Sequence, residues 1–140
     1  MVARRPERRL REGWRWSVVD PWGLPVYCAE ATWYTKVYTR ERAEVRLHEQ
    51  ELIATVRDPD EVYVEPLATA KLRRQGLADA EVLHYVGYGR TQGPYAHHMT
   101  QVVVKKMMEP VQEGAVGYVR TLLIPRGLRL GKLTLRWRKS

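Results

Sequence analysis

Cysteine is nearly missing from this chain of 140 residues: Cys28 stands alone. An internal disulfide is therefore excluded, which fits a reducing compartment. No stretch approaches the roughly 18 uninterrupted apolar residues of a membrane span, and no apolar run of signal-peptide length follows the Arg-rich start. A cytoplasmic location with no membrane contact is the expectation. No internal repeat recurs. Metal-ligand sets are missing too: His97 and His98 are adjacent on an expected strand end, so they point to opposite faces and chelate one ion poorly. The run Gly87-Tyr88-Gly89-Arg90-Thr91-Gln92-Gly93 lacks G-x-G-x-x-G spacing and lies between strands, so it reads as a hairpin turn rather than a phosphate loop. No cofactor or metal is expected.

What is present is an ordinary globular balance, 44% hydrophobic and 29% charged residues, enough to build one core without staples. The net charge of +8 is unevenly spread. Residues 1–15 hold six Arg against Glu7 and Glu12, and residues 120–140 hold seven cations and no acid, whereas the middle is slightly acidic. Basic ends on an acidic body suit a polyanion, with RNA the expected partner. The expected organisation is a flexible basic arm over 1–13 and a single domain over 14–140. The oligomeric state is not legible.

Along the chain, Trp14, Trp16 and Val18 alternate with polar residues, and Asp20-Pro21-Trp22-Gly23 signals a turn into a return strand over 24–28. Thr32 is a plausible N-cap for a helix from Trp33, although the β-branched, Tyr-rich run 34–39 also suits a strand. Val45, Leu52, Ile53 and Val56 follow helical spacing and predict one helix over 41–57, ending before Pro59. A strand over 61–65, a connection with a short helix ending at Gly76, and strands over 82–88, 99–107 and 115–124 follow. A further strand fits within 130–137. Taken together these predict an α+β domain: an N-terminal hairpin, then one or two helices packed on an antiparallel sheet of about four strands. Trp16, Trp22, Trp33 and Trp137 are expected in the core or hairpin packing.

An ordered series runs through these elements: Asp20-Pro21-Trp22-Gly23 with Val26, Thr32-Trp33, Lys36-Val37, the helix bearing Leu52, Thr55 and Val56, Pro59-Asp60-Glu61-Val62, Val102-Val103-Val104, Tyr118-Val119-Arg120-Thr121, and Gly131, Leu133 and Trp137. Over roughly residues 16–137 it resembles the phage- and mobile-element-associated nuclease-like domains of the Barnase/EndoU/colicin/RelE superfamily. The resemblance implies a toxin-like, metal-independent ribonuclease fold with active residues on the first helix and late strands. By position, the family's usual His slot falls on Lys36, the next basic slot near Arg40, and the late polar slot on Thr121 beside Arg120. Lysine in place of histidine is a departure, because Lys serves as a base only where burial or nearby cations lower its pKa.

The corresponding chemistry is transesterification, in which the RNA 2′-hydroxyl attacks its own phosphodiester. Lys36 or His48 is the candidate base, Arg40 and Arg120 hold phosphate, Thr121 hydrogen-bonds a phosphoryl oxygen, and His84, His97 or His98 is the candidate acid. Tyr85, Tyr88 or Tyr95 is suited to stacking on a base. Arg90, His98, Arg126 and Arg129 extend the expected nucleic-acid surface. Two alternatives stand beside the enzyme: a non-catalytic RNA-binding module on the same fold, and an interaction domain whose basic ends dock an acidic antitoxin or immunity protein.

Overall fold

The computed structural model describes residues 13–109 and 114–140. The basic arm expected over 1–13 lies outside the described residues except for Gly13. Strands β1 (Trp14–Val19) and β2 (Pro25–Ala29) form an antiparallel hairpin in which Trp16 and Val18 point inward. Its turn is built by Asp20, whose Oδ1 accepts the N–H groups of Trp22 (2.9 Å) and Leu24 (2.8 Å). Gly23 at φ 87° supplies the left-handed residue such a turn requires.

Helix α1 begins at Glu30, two residues before the expected Thr32 cap, and continues as a π-helical turn over Tyr34–Tyr38. Thr35 Oγ1 donates to the Ala31 carbonyl at 2.8 Å and Thr39 Oγ1 to the Thr35 carbonyl at 3.0 Å, the side-chain competition that loosens a helical ladder. The single helix expected over 41–57 is two: α2 (Ala43–Leu47) and α3 (Glu49–Arg57). Glu41 sits at φ 51°, a left-handed conformation that separates α1 from α2. His48 then breaks the run at φ −117°, ψ 28°, held by its own ring bonds. Strand β3 (Glu61–Val64) leads to α4 (Pro66–Arg74), which opens on a proline and ends ahead of Gly76 at φ 98°. Strands β4 (Glu81–Gly87), β5 (Thr100–Glu109), β6 (Gly114–Leu123) and β7 (Thr134–Arg138) complete the domain.

The expected four-stranded antiparallel sheet is overturned. Seven strands form one mixed sheet in the order β1-β2-β6-β5-β4-β3-β7, with β2 parallel to β6 and every other pair antiparallel. The class of the molecule is α+β. The physical reason for the difference is that alternation reveals strands but not which edges they join. The hairpin docks on β6 instead of standing apart, and the segment after β6 crosses the sheet to lay β7 against β3.

Register divides the sheet into two faces. On one, Leu83, Tyr85, Val102, Val104, Val119 and Leu122 meet Leu52, Ile53 and Val56 of α3 in the main core. Thr55 Oγ1 of α3 lies 2.5 Å from Thr100 Oγ1, and both residues are fully buried. On the other face, Tyr63, Val86 and Met99 form a smaller cluster beneath Leu128 and Leu133 of the crossover. Cys28 is wholly buried, and burial foremost pushes its thiol up to about 12, so it is an inert core residue at neutral pH. Among the described residues, no helix is long and apolar enough to cross a membrane.

Candidate functional site

The second face carries a row set by strand register: Tyr63 opposite His84, His84 opposite Val103, and Val103 opposite Thr121. Adjacent strands are about 4.8 Å apart, so His84 and Thr121 stand roughly 10 Å apart across Val103. Two residues to one side on β4, Val82 donates its N–H to Thr69 Oγ1 of α4 at 2.9 Å. Two residues to the other side, Val86 lies under the crossover. The row thus lies between α4 and the crossover, with Tyr63, His84 and Val103 largely buried in it.

His84 is fixed from both sides. Its Nε2 lies 2.8 Å from Glu65 Oε1, and Gln101 Nε2 donates to its Nδ1 at 2.8 Å. These partners specify a neutral ring with the proton on Nε2. Burial foremost pushes His84 below the ordinary histidine range; the Glu65 contact opposes this, and the nearby Arg120 charge adds to it. The folded protein therefore resists a proton that the unfolded chain accepts near pH 6.5. The His84 contribution to stability is fully present above that pH and lost as pH falls through the depressed folded pKa. Denaturant unfolding measured between pH 7.5 and 5.5 should show stability falling toward acid, and His84→Gln should flatten the slope; an equal slope in the variant would contradict this assignment.

At the far end of the row, Arg42 Nη1 donates to Thr121 Oγ1 at 3.3 Å and to the Leu122 carbonyl at 3.1 Å. It reaches this edge because β2 gives way to α1 beyond its pairing with Gly117 and Tyr118, leaving the end of β6 uncovered. Burial and then Arg40 lower the Arg42 pKa, which places Arg40 beside it. Lys36 is half-buried on the π-helical turn, which runs against β6. Arg120 is exposed and is the extra residue of a β-bulge: Val103 pairs with Thr121 and Val104 with Val119, so Arg120 has no partner across the strand. The structure thus gathers Arg40, Arg42, Arg120 and Thr121 around one end of β6, with His84 two strands away.

Other expected residues lie elsewhere. His48 is 6% exposed; its Nδ1 lies 2.7 Å from the Glu44 carbonyl, and its Nε2 accepts the Gln92 N–H at 3.3 Å. It stacks edge-on with Tyr95, which meets His98 in the same way, and His98 Nδ1 lies 3.0 Å from the Ile124 carbonyl. That ladder ties α2 and α3 to the end of β6. Tyr85 is fully buried with its hydroxyl on Asp20, so it cannot stack on a base. Tyr88 and Arg90 belong to an acid-rich corner instead, where the Tyr88 hydroxyl bonds Glu61 and Arg90 bonds the Asp58 carbonyl and pairs with Asp60. Three cations of the basic C-terminal segment are also neutralised, Arg136 by Glu81, Arg138 by Glu61 and Lys139 by Asp58. Among the described residues, Arg120, Arg126, Arg129 and Lys132 form no ion pair, and the last three lie on the crossover.

Sequence reasoning missed Arg42, Glu65 and Gln101, which have no motif of their own: Arg42 gains its partners at the uncovered end of β6, and Glu65 and Gln101 gain theirs where the fold brings both to the His84 ring. Among the described residues, no group of three or more His, Cys, Asp and Glu side chains is placed to hold a metal ion. Compared with family models, with curated proteins and with solved structures, the chain matches none of them.

Proposed function

We propose that this chain is a toxin-like ribonuclease domain that grips single-stranded RNA on the sheet face over β4–β6 and cleaves it without a metal. The observation that supports this best is a strand row with an oriented histidine, His84, at one end and an Arg-held hydroxyl, Thr121, at the other, where Arg40, Arg42 and Arg120 gather beside it. Arg40, Arg42 and Arg120 would neutralise the phosphate, and Thr121 would hydrogen-bond a phosphoryl oxygen. In the reaction the 2′-oxygen forms a bond to phosphorus and loses its proton to a base. The bond from phosphorus to the 5′-oxygen breaks, and that oxygen takes a proton from an acid. His84 is the candidate for proton transfer, with Glu65 holding its tautomer; Gln101 must turn aside to free Nδ1.

That last requirement favours a second reading. Both ring nitrogens of His84 are engaged, as are both of His48, which suits a non-catalytic RNA-binding module that holds phosphate on the same face. Incubation of RNA with the protein in EDTA separates the two. The enzyme reading expects cyclic-phosphate products, a rate loss of about 100-fold or more in His84→Ala, and weaker binding in Arg42→Ala and Arg120→Ala. Salt-dependent binding without product would leave only the second reading. Product formation unchanged in all three variants would overturn the site, and no binding at all would overturn both readings.

A further inference from the structure

The opposite face of the sheet holds a cavity of about 460 Å³ that the chemistry proposed at His84 and Thr121 does not use. Helix α3 covers the end of this face that carries Thr100, whereas the cavity lies at the end carrying Lys106, beneath the β1–β2 turn. Its floor is apolar, with Leu83 and the Tyr85 ring, and its walls include Trp22 and Trp137. Trp22 was expected in packing but is 54% exposed, with its ring edge-on to Trp137 at 5.0 Å and 82°. The turn that carries it is locked: Asp20 holds the Trp22 and Leu24 N–H groups with one oxygen and the Tyr85 hydroxyl (2.7 Å) with the other. A large aromatic ring is therefore held rigidly in water beside a cavity within the ~300–1,000 Å³ range of small-molecule sites.

Polar groups define what fits. Asp20 has two carboxylate oxygens with about four acceptor positions, three of them occupied, so one remains for an N–H donor. At the rim, Lys106 and Arg136 share the single carboxylate of Glu81, leaving one positive charge in excess. We propose that this cavity binds a nucleotide: a planar base against Trp22 and Trp137, its N–H edge toward Asp20, and its phosphate at Lys106 and Arg136. The same chemistry belongs to a free mononucleotide and to one nucleotide of a single-stranded RNA. The proposal does not depend on cleavage at His84, which lies on the other face.

The test is a titration of the full chain with adenosine and uridine, with their 5′-monophosphates, with ribose 5-phosphate, and with a short single-stranded RNA, read by tryptophan fluorescence and indole N–H NMR shifts. The nucleotides should perturb the Trp22 signal and ribose 5-phosphate should not. Trp22→Ala should weaken binding about tenfold or more, as loss of one stacking ring does, while Trp22→Phe should keep most of it. Arg136→Gln should weaken monophosphates several-fold but spare the nucleosides. A Trp22-dependent response to RNA alone identifies the chain-borne nucleotide, and one to mononucleotides identifies the free ligand. No response from any nucleotide at millimolar concentration, equal binding of ribose 5-phosphate, or unchanged affinity in Trp22→Ala would each overturn the proposal. Because Trp22 is more than half exposed, its replacement leaves the core intact.

Discussion

Asp20→Ala should lower the unfolding free energy by about 3–5 kcal/mol, a large share of the roughly 5–15 kcal/mol that holds a domain of this kind together. The reason is asymmetry. Deleting the carboxylate does not merely remove hydrogen bonds; it leaves the donors behind. The Tyr85 hydroxyl is fully buried and loses its acceptor at 2.7 Å, and the Trp22 and Leu24 N–H groups lose theirs at 2.9 and 2.8 Å. Asp20→Asn keeps an oxygen for the two backbone groups, and the Tyr85 hydroxyl can accept from the new amide. That variant should cost only about 1 kcal/mol. Urea unfolding of the three proteins checks the order. A loss below about 1 kcal/mol in Asp20→Ala would mean that the turn is held by its backbone bonds alone, Asp20 N–H to the Leu24 carbonyl and Gly23 N–H to the Asp20 carbonyl.

Gly117→Ala should cost about 1–3 kcal/mol through overpacking. A methyl group at this position would meet Val104 Cγ1 at 2.6 Å, Val26 Cγ2 at 3.2 Å and Leu24 Cδ2 at 3.3 Å. Val26 and Val104 are fully buried and stiff at χ1, so neither swings away cheaply. The same glycine is where β2 runs parallel to β6, with Val26 opposite Gly117. Its missing side chain is what lets the hairpin seat closely enough to place Asp20 over Tyr85. Gly127→Ala, which would meet nothing within 4 Å, is the matched control and should stay within about 0.5 kcal/mol. Equal midpoints for the two alanine variants would refute the close-approach argument.

Much of this was legible from local pattern. The hairpin, the Asp20–Gly23 turn, the apolar stripe of Leu52, Ile53 and Val56, and the long strands around Val102 and Val119 all follow from period and turn chemistry acting over a few residues. The break at His48 was not, because it depends on a backbone N–H 44 positions away at Gln92. Nor was the role of the basic C-terminus. Charge counted along the chain makes residues 120–139 look like one cationic edge, yet three of those cations fold back onto Glu81, Glu61 and Asp58. The positive surface that remains has moved to Arg120 and the crossover.

By itself, the sequence determined the inventory: seven strand-like segments, a helix-forming middle, a lone unpaired cysteine and an excess of positive charge at both ends. These are properties of neighbouring residues, and short-range sterics and burial dictate them. Only the tertiary structure decided that the seven segments join in one mixed sheet, that the bulge at Arg120 sets Thr121 in the row of His84, and that Trp22 stands in water above a cavity instead of inside the core. Those outcomes depend on which strand edges meet and which charges find partners far along the chain, and no local pattern encodes a contact between residues that are not neighbours.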